Sequence, residues 1–189
     1  MFRKIARTIK LLFDFKILNF LLAIRYHGYF VESGFFNSLR KNSAFDSNNK
    51  PLPWATYSYI EFVKKYLKKN MIVFEYGSGN STCFYAELTS KVITIEHDSN
   101  WYNKVKNAMP QNVEIVFKKL EYGGEYANYI NQTNSNYDLI VIDGRDRVNC
   151  IKNSISKLNT NGVIVLDDAE REDYSKGVKF HKVVYDNLY

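Results

Sequence analysis

From residue 71 onward the chain repeats one pattern five times: a short β-branched apolar run, then a polar stretch with helical spacing. The runs are MIVFEYG (71–77), KVITIEHD (91–98), NVEIVFKKL (112–120), YDLIVIDG (137–144) and GVIVLDD (162–168). Runs this short and apolar read as strands buried on both faces. Between them, 81–88, 100–108, 123–132 and 148–159 read as helices, with Pro110 stopping the second. WATYSYIEFVKKYLKK (54–69) reads as a lead-in helix. Tyr59, Phe62, Val63 and Tyr66 recur at helical spacing, and its closing lysines suit the helix dipole. Strands alternating with helices predict an α/β fold: a doubly wound parallel sheet of about five strands with flanking helices. Ligands in such sheets bind beyond the carboxyl ends of the strands. That rule selects Glu75, Glu96, Asp143, Asp167 and Asp168 as candidate site residues.

The first strand runs into EYGSGNST (75–82). Gly77 and Gly79 permit a tight turn and close backbone approach, and amides at the following helix start face a ligand. The third position of a G-x-G-x-x-G fingerprint is Thr82 here, which argues against a dinucleotide pyrophosphate. Alone, the loop is equally an ordinary turn. Its context adds weight. Glu96 closes the next strand 21 residues after Glu75. An acid at that distance is placed to accept both hydroxyls of a ribose. Glu75, just before the turn, is placed to face a cationic ligand.

These segments resemble the class I S-adenosylmethionine-dependent methyltransferases. VFEYGSGNSTCFYA (73–86) resembles their glycine-loop motif, VITIEHD (92–98) their second-strand acidic motif and YDLIVIDG (137–144) their fourth-strand motif. PLPWATYSYIEF (51–62) and GVIVLDDAERED (162–173) resemble a bacterial branch of undefined substrate. The resemblance spans roughly residues 33–175 and implies a Rossmann-like fold with S-adenosyl-L-methionine as cofactor. It implies that Glu75, Tyr76, Gly77, Ser78 and Gly79 cradle the methionine part. Asn80 and Ser81 would add amide or hydroxyl contacts, and Glu96 would bind the ribose with His97 beside the adenine. Lys119 and Leu120 would flank the adenine, and Asp143 would stand at the mouth near the cofactor amine or the acceptor.

Methyl transfer to a hydroxyl or amine needs the acceptor aligned and its proton removed. Asp143 is the candidate general base. A second route would have Asp143, Asp167 and Asp168 hold a divalent ion, magnesium or calcium from the oxygen ligands. An acidic rim without metal is the simpler expectation. Trp54 and Tyr57 are candidate aromatic walls for the acceptor, with Asp168 beside them as a substrate contact; core packing is an equal reading of both rings. Arg145 and Arg147, just after Asp143, are placed to meet an anionic acceptor, with a solvated loop pair as the simpler reading. His27 and His181 receive no role. The implied function is methyl transfer to a small-molecule or glycan-type acceptor. The alternative is a catalytically silent domain of the same fold serving as a membrane-associated assembly protein.

The chain carries a net charge of +6, and all of it lies in the first 50 residues, with nine Lys+Arg against three Asp+Glu. Residues 51–189 hold 17 of each. A neutral body argues against nucleic acid as a partner. Residues 1–25 hold six Lys+Arg and one Asp. There MFRKIARTIK is followed by LLFDFKILNFLLAI (11–24), too short and too charged at its middle for a span of ~20 apolar residues. It reads as an interfacial helix in peripheral membrane contact, or as a helix packed on its own domain or in a homo-oligomer. The expected organisation is a helical arm (1–27), a connector rich in turn residues (28–53) and the catalytic-type domain (54–189). Cys83 and Cys150 lack disulfide or metal-ligand spacing and read as free thiols in a reducing compartment, cytoplasmic or at the inner membrane face. The resemblance also implies a closing antiparallel hairpin, for which the 21 residues after Asp168 leave no room.

Overall fold

The computed structural model describes residues 13–174. Its strands are β1 (Ile72–Tyr76), β2 (Lys91–Glu96), β3 (Val113–Phe117), β4 (Tyr137–Ile142) and β5 (Leu158–Leu166). All pair in parallel, in the order β3-β2-β1-β4-β5. Strand order reverses between β1 and β4, and a crevice opens there at the carboxyl ends. The expected sheet is therefore the observed one. Its strands are mostly a residue or two shorter than their apolar runs, because pairing stops where the chain turns for each helix. β5 departs the other way and starts at Leu158.

Eight helices are described: α1 (Phe15–Tyr26), α2 (Tyr29–Glu32), α3 (Phe35–Lys41), α4 (Tyr57–Tyr66), α5 (Asn80–Leu88), α6 (Ser99–Val105), α7 (Glu125–Gln132) and α8 (Arg147–Ser154). Side chains of each central strand alternate between two cores. Val73, Val92, Leu139 and Val141 pack with Ile60 and Val63 of α4 and Phe84 and Tyr85 of α5. Phe74, Tyr76, Ile93, Ile95, Ile140 and Ile142 pack with Tyr126 and Ile130 of α7 and Cys150 and Ile151 of α8. Burying a side chain of this kind contributes ~1.5–3 kcal/mol. The near-continuous apolar runs thus come from a sheet covered on both sides. On this alternation Glu75 falls on the α4/α5 face and Tyr76 on the α7/α8 face.

Two sequence expectations need correction. The lead-in helix starts at Tyr57 rather than residue 54, because the Thr56 hydroxyl accepts the Tyr59 amide at 3.3 Å and caps it. Trp54 therefore lies outside the helix. Residues 28–53 are also more than turns. They form α2 and α3, and then a turn in which Asp46 Oδ1 accepts the amides of Asn48 and Lys50, each at 2.8 Å. The Ser38 hydroxyl accepts the Phe45 amide at 2.9 Å, and Leu52 enters the α4/α5 core. Cys83 and Cys150 are unpaired. Residues 1–12 of the expected arm, and the closing segment 175–189 on which the hairpin expectation falls, lie outside the described residues.

Candidate active site

A cavity of about 280 Å³ opens at the switch point. The glycine loop and the tips of β1 and β2 form one side, with Glu75, Gly77, Ser78, Ser81, Glu96 and His97. The loop after β4 forms the other, with Asp143, Gly144, Arg145 and Arg147. Gly77 adopts φ +102°, where a side chain would strain the backbone. Gly144 is required for another reason. A Cβ there would stand 2.0 Å from the Tyr126 hydroxyl and 3.1 Å from the Tyr76 carbonyl oxygen.

Glu75 is the deepest group, 1% exposed. It stands one residue before the end of β1, and at the start of α5 Ser81 Oγ and Thr82 Oγ1 each donate to it at 2.5 Å. Burial pushes its carboxyl up to about 8, against the pull of those two hydroxyls and with help from the charges of Asp143 and Glu96. Glu96 is also buried, and its local backbone holds it. Its Oε1 accepts the amides of His97 and Asp98 at 2.8 and 2.9 Å, and its Oε2 accepts Ser78 Oγ at 2.8 Å. His97 Nδ1 lies 3.1 Å from Glu96 Oε1 without hydrogen-bond geometry, and no other group satisfies it. Trp101, which sequence reasoning missed, donates its indole N–H to the Ser78 carbonyl at 2.8 Å and ties α6 to the glycine loop. The only sequence signal for it is an aromatic one turn after the acid that closes β2.

Asp143 faces across the cavity with its side chain 46% exposed. Burial raises its carboxyl to about 7, Asp167 and Asp168 add to the rise, and Arg147 opposes it. Arg147 is not the solvated loop residue that its sequence context suggests. It is 5% exposed at the start of α8. Its Nη2 lies 3.3 Å from Asp143 Oδ1 and 3.6 Å from Asp168 Oδ2, and its Nη1 lies 3.5 Å from Asp167 Oδ2. Its Nε donates to the Gly144 carbonyl at 3.0 Å, and Nη1 donates to the Asp167 carbonyl. The three carboxylates considered for a divalent ion thus already surround a cation of the chain itself. Among the described residues no group of three or more His, Cys, Asp or Glu side chains is arranged to hold a metal. The donor set does not fit a resident divalent ion.

Several candidates lie elsewhere. The Tyr76 side chain is core, its hydroxyl donating to the Ala127 carbonyl at 2.9 Å, so only its backbone reaches the site. Asn80 turns away, donating to the Ala44 carbonyl at 2.7 Å and to Ser43 Oγ at 3.0 Å, and so locks the 28–53 segment onto α5. Gly79 precedes α5 as its cap residue. Lys119 and Leu120 follow β3 rather than ending it; Lys119 is exposed and Leu120 packs against the α7/α8 core. Trp54 and Tyr57 line a second, apolar cavity of about 290 Å³ with Phe35, Leu39 and Leu52. Asp168 reaches the first cavity only through Arg147.

Solved structures similar to this chain share its fold. A methyltransferase-like protein from Silicibacter pomeroyi is 21% identical over 69% of this chain and 81% of its own, with a TM-score of 0.55. The fold is that of the class I methyltransferases. A precorrin-6y C5,15-methyltransferase from Geobacter metallireducens has the same methyltransferase fold at 17% identity, over 74% of each chain, with a TM-score of 0.54. A protein from Streptococcus mutans described as a candidate methyltransferase, in complex with SAH, is 15% identical over 66% of this chain and 80% of its own, at 0.50. No family model and no curated protein matches the chain.

Proposed function

We propose that this chain is an S-adenosylmethionine-dependent methyltransferase acting on a hydroxyl or amine of a small-molecule or glycan-type acceptor. One observation carries the reading: two buried carboxyls, Glu75 and Glu96, stand at the carboxyl ends of adjacent strands beside a glycine turn at positive φ, in the same cavity as Asp143. The SAH complex of the Streptococcus mutans protein supports it. The cofactor would supply a methyl group already activated by a sulfonium, so the protein's work is alignment, water exclusion and proton removal.

Glu96 would hold the ribose hydroxyls, since Ser78 and two backbone amides already fix its orientation. Glu75 would meet the positive charge of the methionine part. Its buried carboxyl is costly to ionise without a cation and is therefore selective for one. Asp143, raised to about 7, is matched to take an acceptor proton near neutral pH. It then hands that proton to solvent through its exposed edge, with Arg147 stabilising the charge that returns.

Calorimetric titration with S-adenosylmethionine tests this. The wild type should bind. Glu96→Ala should weaken binding by about 10- to 100-fold, the worth of hydrogen bonds to a charged group. Gly77→Arg should abolish it, by blocking the cavity and straining the turn. No detectable binding by the intact protein would remove the enzyme reading and leave the fold alone.

A further inference from the structure

Helix α1 is uncovered by the rest of the described chain. It has no buried residue, and Phe13, Phe15, Phe20 and Tyr26 are 62–75% exposed on it or at its start. An isolated helix of this length is marginal in water, and one that is apolar nearly all round is normally buried. Exposed apolar surface of this kind marks a docking face. It continues into the body of the protein. Tyr29 meets Tyr57 edge-on with centroids 5.4 Å apart, and Phe30 meets Phe35 at 5.1 Å. Phe35 and Tyr57 then line the apolar cavity that Trp54 also borders.

Charge decides what covers this face. Residues 1–25 hold six Lys+Arg and one Asp. A two-fold dimer would bring the same patch of both copies together and double a like charge in the sequence on and preceding α1. An anionic leaflet complements the charge instead, at ~1 kcal/mol for each basic residue near it. Arg25 fits such a boundary: its guanidinium lies 5.3 Å over the Tyr26 ring and 4.9 Å over the Phe36 ring, a cation resting on aromatic surface. No described helix is long and apolar enough to cross a membrane. We propose that the face formed by α1, α2 and the mouth of the apolar cavity docks on an anionic bilayer surface. In that pose α1 lies in the interfacial plane, its aromatic rings at headgroup depth and Lys16 and Arg25 at the phosphates. The second cavity then opens toward the lipid. The proposal does not rest on cofactor binding.

Co-sedimentation of the full chain with vesicles tests it, using phosphatidylcholine alone or with phosphatidylglycerol, at low and high salt. Binding to the anionic vesicles should be at least about tenfold tighter than to the neutral ones and should fall about tenfold in high salt. The double substitution Phe15→Glu, Phe20→Glu should lose it while keeping the wild-type circular dichroism and thermal midpoint. Arg3→Glu with Arg7→Glu, which removes no apolar group, should erase the preference for anionic vesicles. Three results would overturn the proposal: equal binding to both vesicle types, no sedimentation, or a dimer in light scattering that Phe15→Glu, Phe20→Glu dissociates without any vesicle binding.

Discussion

Glu75→Gln is expected to abolish S-adenosylmethionine binding and, in the same protein, to raise the thermal midpoint at alkaline pH. Both effects follow from one buried carboxyl. The group has an ordinary value of 4.5 and is pushed up to about 8 in the fold, chiefly by burial. A raised acid binds its proton more tightly in the native state than in the unfolded chain. The stability this linkage supplies is fully present below about pH 4.5 and is lost as pH climbs through 8. For a carboxyl buried this completely, each tenfold gain in proton affinity is worth about 1.4 kcal/mol, so the loss is on the order of 4–5 kcal/mol. Glutamine has the same shape, can accept one of the two hydroxyls through its amide oxygen and donate to the other oxygen from its NH2, and never ionises. Thermal unfolding at pH 5 should show the two proteins close together. At pH 9 the variant should melt higher by about 5 °C or more, at 2–4 °C per kcal/mol for a chain of this size. A constant difference between the two pH values would refute the linkage.

The same carboxyl makes a further demand on the wild type. A cationic ligand meeting Glu75 must find it ionised, so binding below pH 8 should release close to one proton. Titrations in phosphate and in Tris would then give enthalpies that differ with the buffer's own ionisation heat. The deepest acid of the site is therefore ionised only at a cost to stability, which protonation or a cationic ligand relieves.

The sheet was readable in the sequence because burial on both faces leaves a period-free apolar run, and five such runs between helical segments admit few topologies. Acids at the ends of β1 and β2 were readable for a similar reason: a charged residue closing an apolar strand has to stand at the sheet's carboxyl edge. Side-chain direction was not. Tyr76 and Glu75 are neighbours in the motif, yet strand alternation sends one into the α7/α8 core and the other into the cavity. Asn80 looked like a loop residue facing a ligand, and its partner, the Ala44 carbonyl, lies 36 positions away. Trp54 looked helical until the Thr56 cap moved the start of α4. Arg147 was the largest miss. In sequence it is one of two arginines after Asp143, and nothing marks it as buried. Only the approach of the β5 loop, bringing Asp167 and Asp168 beside Asp143, gives its guanidinium three carboxylates to neutralise.

Arg147→Met should therefore be the most damaging of the conservative-volume changes at the site. The substitution keeps the aliphatic bulk of α8's first turn. It removes the donors that hold the Gly144 and Asp167 carbonyls, and the charge shared by Asp143, Asp167 and Asp168. Breaking a buried pair from one side costs about 3–5 kcal/mol, and the partly exposed acids place this case near the lower figure. The thermal midpoint should fall by roughly 6–12 °C. Arg147 is the group that opposes the rise of Asp143, so its loss should move that carboxyl above 7 and leave it protonated at neutral pH. Arg147→Lys restores charge without the planar fork. It should recover the Asp143 titration, read by carbon NMR of the carboxyl, more fully than it recovers stability. Asp168 keeps Arg171 Nη2 at 2.7 Å in the variant, so Asp143 and Asp167 are the acids that lose their cation. An unchanged midpoint in Arg147→Met, with the Asp143 titration also unmoved, would show that the guanidinium does not tie these loops together.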